Sequence, residues 1–451
     1  MSDLLELAEK VVARALPGEG LEAYAASGVE TEIRVYEGDV ESLSSASSAG
    51  IGVRIVTEGS EGFQVGFAWA GSLEPAAIDR ALFEARANAA FSTPDPSVGL
   101  AEPDGVTPAT ISLRADSIES TSTDAKIALA KELDLRTRTG DPRIRQVDSA
   151  DYADHVVETA IASTTGVRGL SERSSAYVSV SAIAGGADDT QTGSGYCVGR
   201  GPDDLSIEEA AQQAIERSVR MLGAVKAPSA RLTAVFDPRV TSTLLSVIGQ
   251  ALSGEAVVKG RSFFEGRLGE MVAHPSVTLV DDPTVPEAFT AATFDGEGLA
   301  CRRNVLIEGG SLRGFVYDTA AARRAGVQPT GSAMRGGYAG RPVAGCRALL
   351  LTPGSLSPDE ILASVGEGLY VQSVTGVHSG VSPVSGDFSV GVDGLMIRDG
   401  QLAEPVREVT VASTLQAMLL AVAAIGSDLT YLPGVAAGMT VAISEMQLSG
   451  S

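Results

Sequence analysis

The sequence is short of histidine, of cysteine and of positive charge, and each shortage removes a class of function. Its 451 residues include three histidines, His155, His274 and His378, no two of them within a helical turn. A zinc hydrolase helix needs two imidazoles about one turn apart with a carboxylate beside them, because the metal must acidify a water next to a proton acceptor. No local motif of that kind exists in this chain. The three cysteines, Cys197, Cys301 and Cys346, form no CxxC, and an odd number makes a poor disulfide framework. Reduced, buried thiols in a cytoplasmic protein are expected. Lys and Arg number 34 against 57 Asp and Glu, for a net charge of -23. That balance argues against a nucleic-acid partner, since phosphate binding needs clustered bases.

Membrane and export segments are not expected either. The opening MSDLLELAEKVVARAL carries Asp3, Glu6 and Glu9 where a signal peptide wants basic residues, so an amphipathic helix is expected over 3–16. Val409 to Ser427 is free of charge, yet it contains Thr410, Ser413, Thr414 and Gln416 and no Lys or Arg follows it. A buried strand and a helix, rather than a membrane span, are expected there.

What the chain has in quantity is apolar residues (44%), Gly (51) and Pro (20). That composition suits large cores with many turns and short strands. The periodicities predict an α+β protein of two domains, with a boundary near 225 at VKAPSA. Residues 1–224 read as helices and antiparallel strands in two sub-blocks, 1–110 and 111–224. Each sub-block runs helix, strands, helix, which fits either a weak internal duplication or the common grammar of α+β folds; the second is preferred. Helices are expected near 72–90, 123–138 and 206–223. The last opens on a capping box, Ser206 to Glu209, and ends on an αL Gly223. The Pro- and Gly-rich stretch 92–109 reads as a linker. Residues 225–451 read as a β-rich, barrel-like domain with a few helices. One helix starts at Asp237 as N-cap with Pro238 behind it. Its apolar face runs through Leu244, Leu245, Val247 and Ile248 to Ala251.

Candidate chemistry is sparse. GSGYCVGRG lacks the GK[ST] ending of a phosphate loop, and no G-x-S-x-G elbow is present. Cys301 lies beside Arg302 and Arg303, which could lower its pKa. The pairs Asp281–Asp282 and Asp188–Asp189 are expected to solvate turns. His378 sits in a Gly- and Ser-rich loop with Ser379, Ser385 and Asp387, and RGGYAGRPVAG places Arg335, Tyr338 and Arg341 among glycines.

Four segments in order, GVETEIRVYEGDVESLSSASSAGIGVRIV, FFEGRLGEMVAHPSVTLVDD, FDGEGLACRRNVLIEGGSLRGFVYD and TGVHSGVSPVSGDFSVGVDGLMIRDG, resemble the TldD/PmbA family over nearly the whole chain. The resemblance implies a dimer. It implies that the TldD branch is a metalloprotease for peptides and unfolded chains, with an HExxxH zinc helix, and that the PmbA (TldE) branch lacks that motif. Counting back from KGRSFFEGRLGE puts the motif on Leu245, Ser246, Val247, Ile248, Gly249 and Gln250. Leu245 and Gln250 then stand at the histidine positions and Ser246 at the glutamate. A leucine cannot bind zinc and a serine is a poor general base. The reading that follows is a non-catalytic subunit without cofactor, whose TldD-type sibling carries the zinc. Its own part would be a dimer interface and one wall of a peptide channel, with His378, Ser379, Asp387, Arg335 and Tyr338 as contacts to peptide or partner. The alternatives are a stand-alone homodimer that binds peptides, and an independent hydrolase built on His378.

Overall fold

The structure, a computed structural model, describes residues 3–59 and 61–450. It is of the expected α+β class. The first half comprises α1 (Asp3–Val12), β1 (Glu19–Tyr36), β2 (Asp39–Gly59), β3 (Gly62–Ala70), α2 (Pro75–Phe91), α3 (Ser117–Ser120), α4 (Thr123–Thr139), β4 (Ile144–Ser163), β5 (Arg168–Gly185), β6 (Thr190–Gly199) and α5 (Ile207–Val219). The six strands form one antiparallel sheet in the order β3-β2-β1-β4-β5-β6. Read outward from the central β1–β4 pair, each side has the same sequence of strands. The sheet therefore has the layout of two like helix–strand–helix units joined at their first strands.

Side-chain alternation decides what covers each face of this sheet. Leu21, Ala23, Ala25, Ile51, Val53 and Ile55 pack with α1 and α2 in one core. Ile33, Val35, Tyr152, Val178 and Val180 pack with α4 and α5 in another. The opposite face carries Glu22, Tyr24, Arg54, His155 and Arg173, and the second half of the chain lies against it.

The second half begins with β7 (Ala230–Phe236), α6 (Pro238–Ala251) and α7 (Gly254–Val258). Short strands follow: β8 (Leu279–Asp281), β9 (Asn304–Glu308) and β10 (Ser311–Leu312), then α8 (Thr319–Ala325), β11 (Ala333–Met334), β12 (Val343–Ala344) and β13 (Leu349–Leu351). Next come α9 (Pro358–Val365), β14 (Gly368–Thr375), α10 (Val377–Gly380), β15 (Asp387–Arg398), β16 (Gln401–Thr414), α11 (Leu415–Leu420), β17 (Val422–Ile425) and β18 (Val441–Ser449). Strands β7, β14, β15, β16 and β18 form a closed barrel, because β16 pairs with β18 as well as with β15. Closure leaves those strands no free edge over the paired residues.

α6 is built as its sequence indicates. Asp237 accepts from the Arg239 amide, Pro238 opens the helix, and Leu244, Leu245, Val247 and Ile248 are buried. Each such burial contributes about 1.5–3 kcal/mol. Three details differ from expectation. The apolar run after Thr414 gives only a six-residue helix before turning into β17, since a short apolar run does not distinguish helix from strand. α5 ends on Arg220, and Gly223, though at φ +78, lies in the turn beyond it. Ser206 caps α5 by accepting from the Glu209 amide, but its own amide donates to Cys197 Sγ rather than to Glu209.

The two halves are laced together by arginines. Arg200 donates to the main-chain oxygens of Pro286, Ala288 and Phe289. Arg217 pairs with Asp237 at 2.7 Å, and Arg239 stacks 4.0 Å from the Tyr196 ring centre. The 92–109 stretch has almost no regular structure but is tied down: Asp95 pairs with Arg324, Asp104 with Arg302, and Arg323 donates to Leu100 O. No helix among the described residues is long and apolar enough to cross a membrane.

Candidate functional site at the seam

Two cavities flank the glycine-rich segment 335–347. The first, about 500 Å³, is open and lies beside α6. Ser246, Gly249 and Gln250 form one wall, Gly345 and Cys346 another, and Lys259 and Arg261 the rim. The second, about 370 Å³, lies between the bare face of the sheet and the second half. Tyr24, His155, Arg173, Asp295, Arg335 and Arg347 contribute its polar groups.

The α6 positions divide between core and cavity. Leu245 is 6% exposed and belongs to the large apolar cluster with Phe236, Leu415 and Met418. Gln250 is exposed at the first cavity. Positions five apart on a regular helix point about 140° away from each other, so these two side chains do not converge. The Ser246 hydroxyl donates 2.8 Å back to Ser242 O. Cys346 Sγ lies 3.6 Å from Gly249 O, and burial pushes its thiol well above the usual range. A protonated thiol, an amide and a back-bonded hydroxyl are poor donors for zinc. Among the described residues no group of three or more His, Cys, Asp or Glu could hold a metal ion.

A buried ion network joins the two halves next to the second cavity. Arg54 binds Glu22 at 2.7 Å and Glu297 at 3.2 Å, and Arg335 binds Glu22 at 2.6 Å. Glu297 also accepts from the Thr319 amide, which opens α8. Burial pushes the Glu22 carboxyl up, but Arg54 and Arg335 together outweigh it and hold the group below the usual carboxylate range. Asp295 accepts three amides, from Glu297, Leu299 and Ala333. Burial, with the Glu297 charge adding to it, still pushes Asp295 up to about 7.

Tyr338 shows how the glycine-rich segment docks. Its ring lies 6.0 Å from Trp69 and over Gly50 of β2, and its carbonyl lies against Gly52. A Cβ on Gly50 would meet the Tyr338 ring at 2.5 Å, and one on Gly52 would meet its carbonyl at 2.1 Å. Only glycine allows that approach.

The remaining sequence candidates line neither cavity. His378 and Ser379 are exposed on α10. Ser379 Oγ donates to Gly376 O, and Ser385 Oγ lies 2.6 Å from Asp387 Oδ2. Among the described residues no hydrogen bond joins His378 to any of the three. His274 bonds Ser276 at 2.8 Å on the surface. Burial pushes the Cys301 thiol up to about 12, which overrides the neighbouring arginines. Asp281 is fully buried rather than a solvated turn residue; it accepts the Arg347 and Ala348 amides. Sequence reasoning passed over Arg173. Its place in SERSSAYVSV, on the parity opposite Val178 and Val180, was the available signal that it faces away from the helices.

Comparison with known proteins fits this architecture. Models of the PmbA/TldA metallopeptidase match in three consecutive pieces: domain 1 at 21–89, the central domain at 116–222 and the C-terminal domain at 229–450. The chain is 26% identical over 440 residues to the metalloprotease PmbA of Escherichia coli O157:H7, covering 96% of this chain and 92% of that protein. It is 31% identical over 255 residues to a metalloprotease of Methanothermobacter thermautotrophicus, an alignment spanning 55% of each. A crystal structure from Thermotoga maritima, described as a proposed modulator of a DNA gyrase, superposes with a TM-score of 0.89 at 25% identity, covering 98% of this chain and 99% of that one.

Proposed function

The chain belongs to the PmbA/TldA metallopeptidase family, and on that premise we propose that it is the non-catalytic subunit of a TldD-type zinc metalloprotease acting on peptides and unfolded chains. The observation that carries the reading is the state of α6. Where the sequence resemblance puts two imidazoles and a carboxylate, Leu245 fills the core, Ser246 bonds its own helix and Gln250 faces the cavity alone. The donor set does not fit zinc, so bond cleavage belongs to a sibling subunit. This chain's share is an interface and a wall of the peptide path, with the glycine-rich segment 335–345 leaving room for a substrate backbone.

The test is reconstitution. The purified chain, a TldD-type sibling from the same genome and their mixture are assayed on unfolded casein, with and without a chelator. The mixture is expected to cleave, the chain alone is not, and the chelator is expected to abolish cleavage. Proteolysis by the chain alone, or a sibling whose rate ignores the chain, refutes the proposal. Saturable peptide binding by a homodimer that ignores the sibling would favour the stand-alone peptide binder.

A further inference from the structure

The cavity between the sheet and the second half holds more positive charge than its own acids neutralise. Arg335 is committed to Glu22, and Arg200, whose charge also acts on Arg173, is committed to main-chain oxygens. That leaves Arg173 on β5 and Arg347 beside β13. Among the described residues neither side chain has an ion pair or hydrogen bond, and Arg347 Nε is buried without a partner. Burial, and then the charge of Arg347, hold the Arg173 guanidinium below the usual arginine range. Two like charges facing one cavity in a protein of net charge -23 are costly unless an anion joins them. The carboxylate in the cavity wall, Asp295, spends both oxygens on three amides. The nearby Asp281 gives one oxygen to two amides and forms no ion pair with Arg347 among the described residues.

We propose that this cavity binds a carboxylate, the free C-terminus of a peptide, between the guanidiniums of Arg173 and Arg347. Planar guanidiniums offer paired donors that match a carboxylate. At about 370 Å³ the space exceeds a lone carboxylate. Its remaining walls include Ala26, Val157, Ile161 and Phe294, which suit the residues leading to a chain end, and Gly336 and Gly337 leave room for backbone. The site stands on this geometry and does not require proteolysis by any subunit.

The full chain is titrated by calorimetry with N-acetylated tetra-alanine bearing a free carboxylate, with the same peptide as its amide, with an amidated peptide containing one glutamate, and with inorganic phosphate. The free acid is expected to bind at least about ten-fold more tightly than the amide, a difference of about 1.4 kcal/mol. Added salt is expected to weaken only the acid. Arg173→Gln is expected to remove the preference, Arg173→Lys to keep part of it, and Arg398→Gln, on the surface with Glu367 and Glu404, to leave it unchanged. Equal binding of acid and amide, salt-independent binding, or an undiminished preference in Arg173→Gln overturns the site. Tighter binding of phosphate or of the glutamate peptide overturns the chain-end assignment. The measurement needs no sibling subunit, so its failure leaves the reconstitution result untouched, and the converse holds.

Discussion

Arg335 meets Glu22 across the seam at 2.6 Å with both side chains 2% exposed. The contact joins the first strand of the sheet to the glycine-rich segment, and Arg54 extends it to Glu297. Every charge in this group was taken out of water, so its worth lies in being complete.

Glu22→Ala is therefore expected to cost about 3–5 kcal/mol, because it strips buried Arg335 of its carboxylate and leaves Arg54 with Glu297 alone. Urea unfolding of the full chain measures it. A loss below about 1 kcal/mol would mean that water reaches the network.

Asp281 gives a stability change with a defined sign. Burial raises its pKa from 3.8 to about 6 in the folded chain. The folded state thus holds the proton more tightly than the unfolded state, and stability falls as pH rises through roughly 4 to 6. Oδ2 has no partner, while Oδ1 takes both amides. Asp281→Asn keeps those bonds and removes the titration. The variant is expected to be more stable than the parent at pH 8 by on the order of 2–3 kcal/mol, with the gap closing below pH 4. Thermal melts across that range test it, and a constant gap would refute the assignment.

Rebuilding the motif on α6 tests the helix geometry. The triple variant Leu245→His, Ser246→Glu, Gln250→His is expected to melt lower, since it places an imidazole in the apolar core at 245. It is expected to retain no stoichiometric zinc after dialysis, because 245 points into the apolar core and no group of three or more His, Cys, Asp or Glu stands ready beside it among the described residues. Metal analysis showing one tightly held zinc per chain would contradict both points.

Gly52→Ala probes the docked segment. The new methyl would meet the Tyr338 carbonyl at 2.1 Å, and relieving that overlap costs about 1–3 kcal/mol. The chain is expected to become sensitive to trypsin after Arg335 while the β1–β2 pairing persists; the bond after Arg341 leads into Pro342 and resists trypsin in any case. An unchanged digestion pattern would place Tyr338 elsewhere.

Local chemistry was the most readable part of this sequence. Asp237-Pro238 announced α6, and Leu244, Leu245, Val247 and Ile248 announced its buried face. What could not be read depends on distant partners. Barrel closure rests on three residue pairs between β16 and β18, and alternation reports a strand's faces but not its neighbour. Arg173 and Arg347 come together only through folding. Within the site, Leu245, Ser246 and Gln250 could be singled out from the sequence because none of the three side chains is a customary zinc ligand or general base wherever it points. The unpaired arginines were not, because an arginine in a strand looks like any solvated residue until its surroundings are known.

The grip of Arg200 on Pro286, Ala288 and Phe289 has one more consequence. Its acceptors are peptide oxygens, which do not take up protons in the acid range where carboxylates discharge. Vinegar-like conditions that discharge the carboxylate ties, Arg217 to Asp237 among them, leave this clasp chemically intact, so it is the strand of the joint that outlasts the rest in acid.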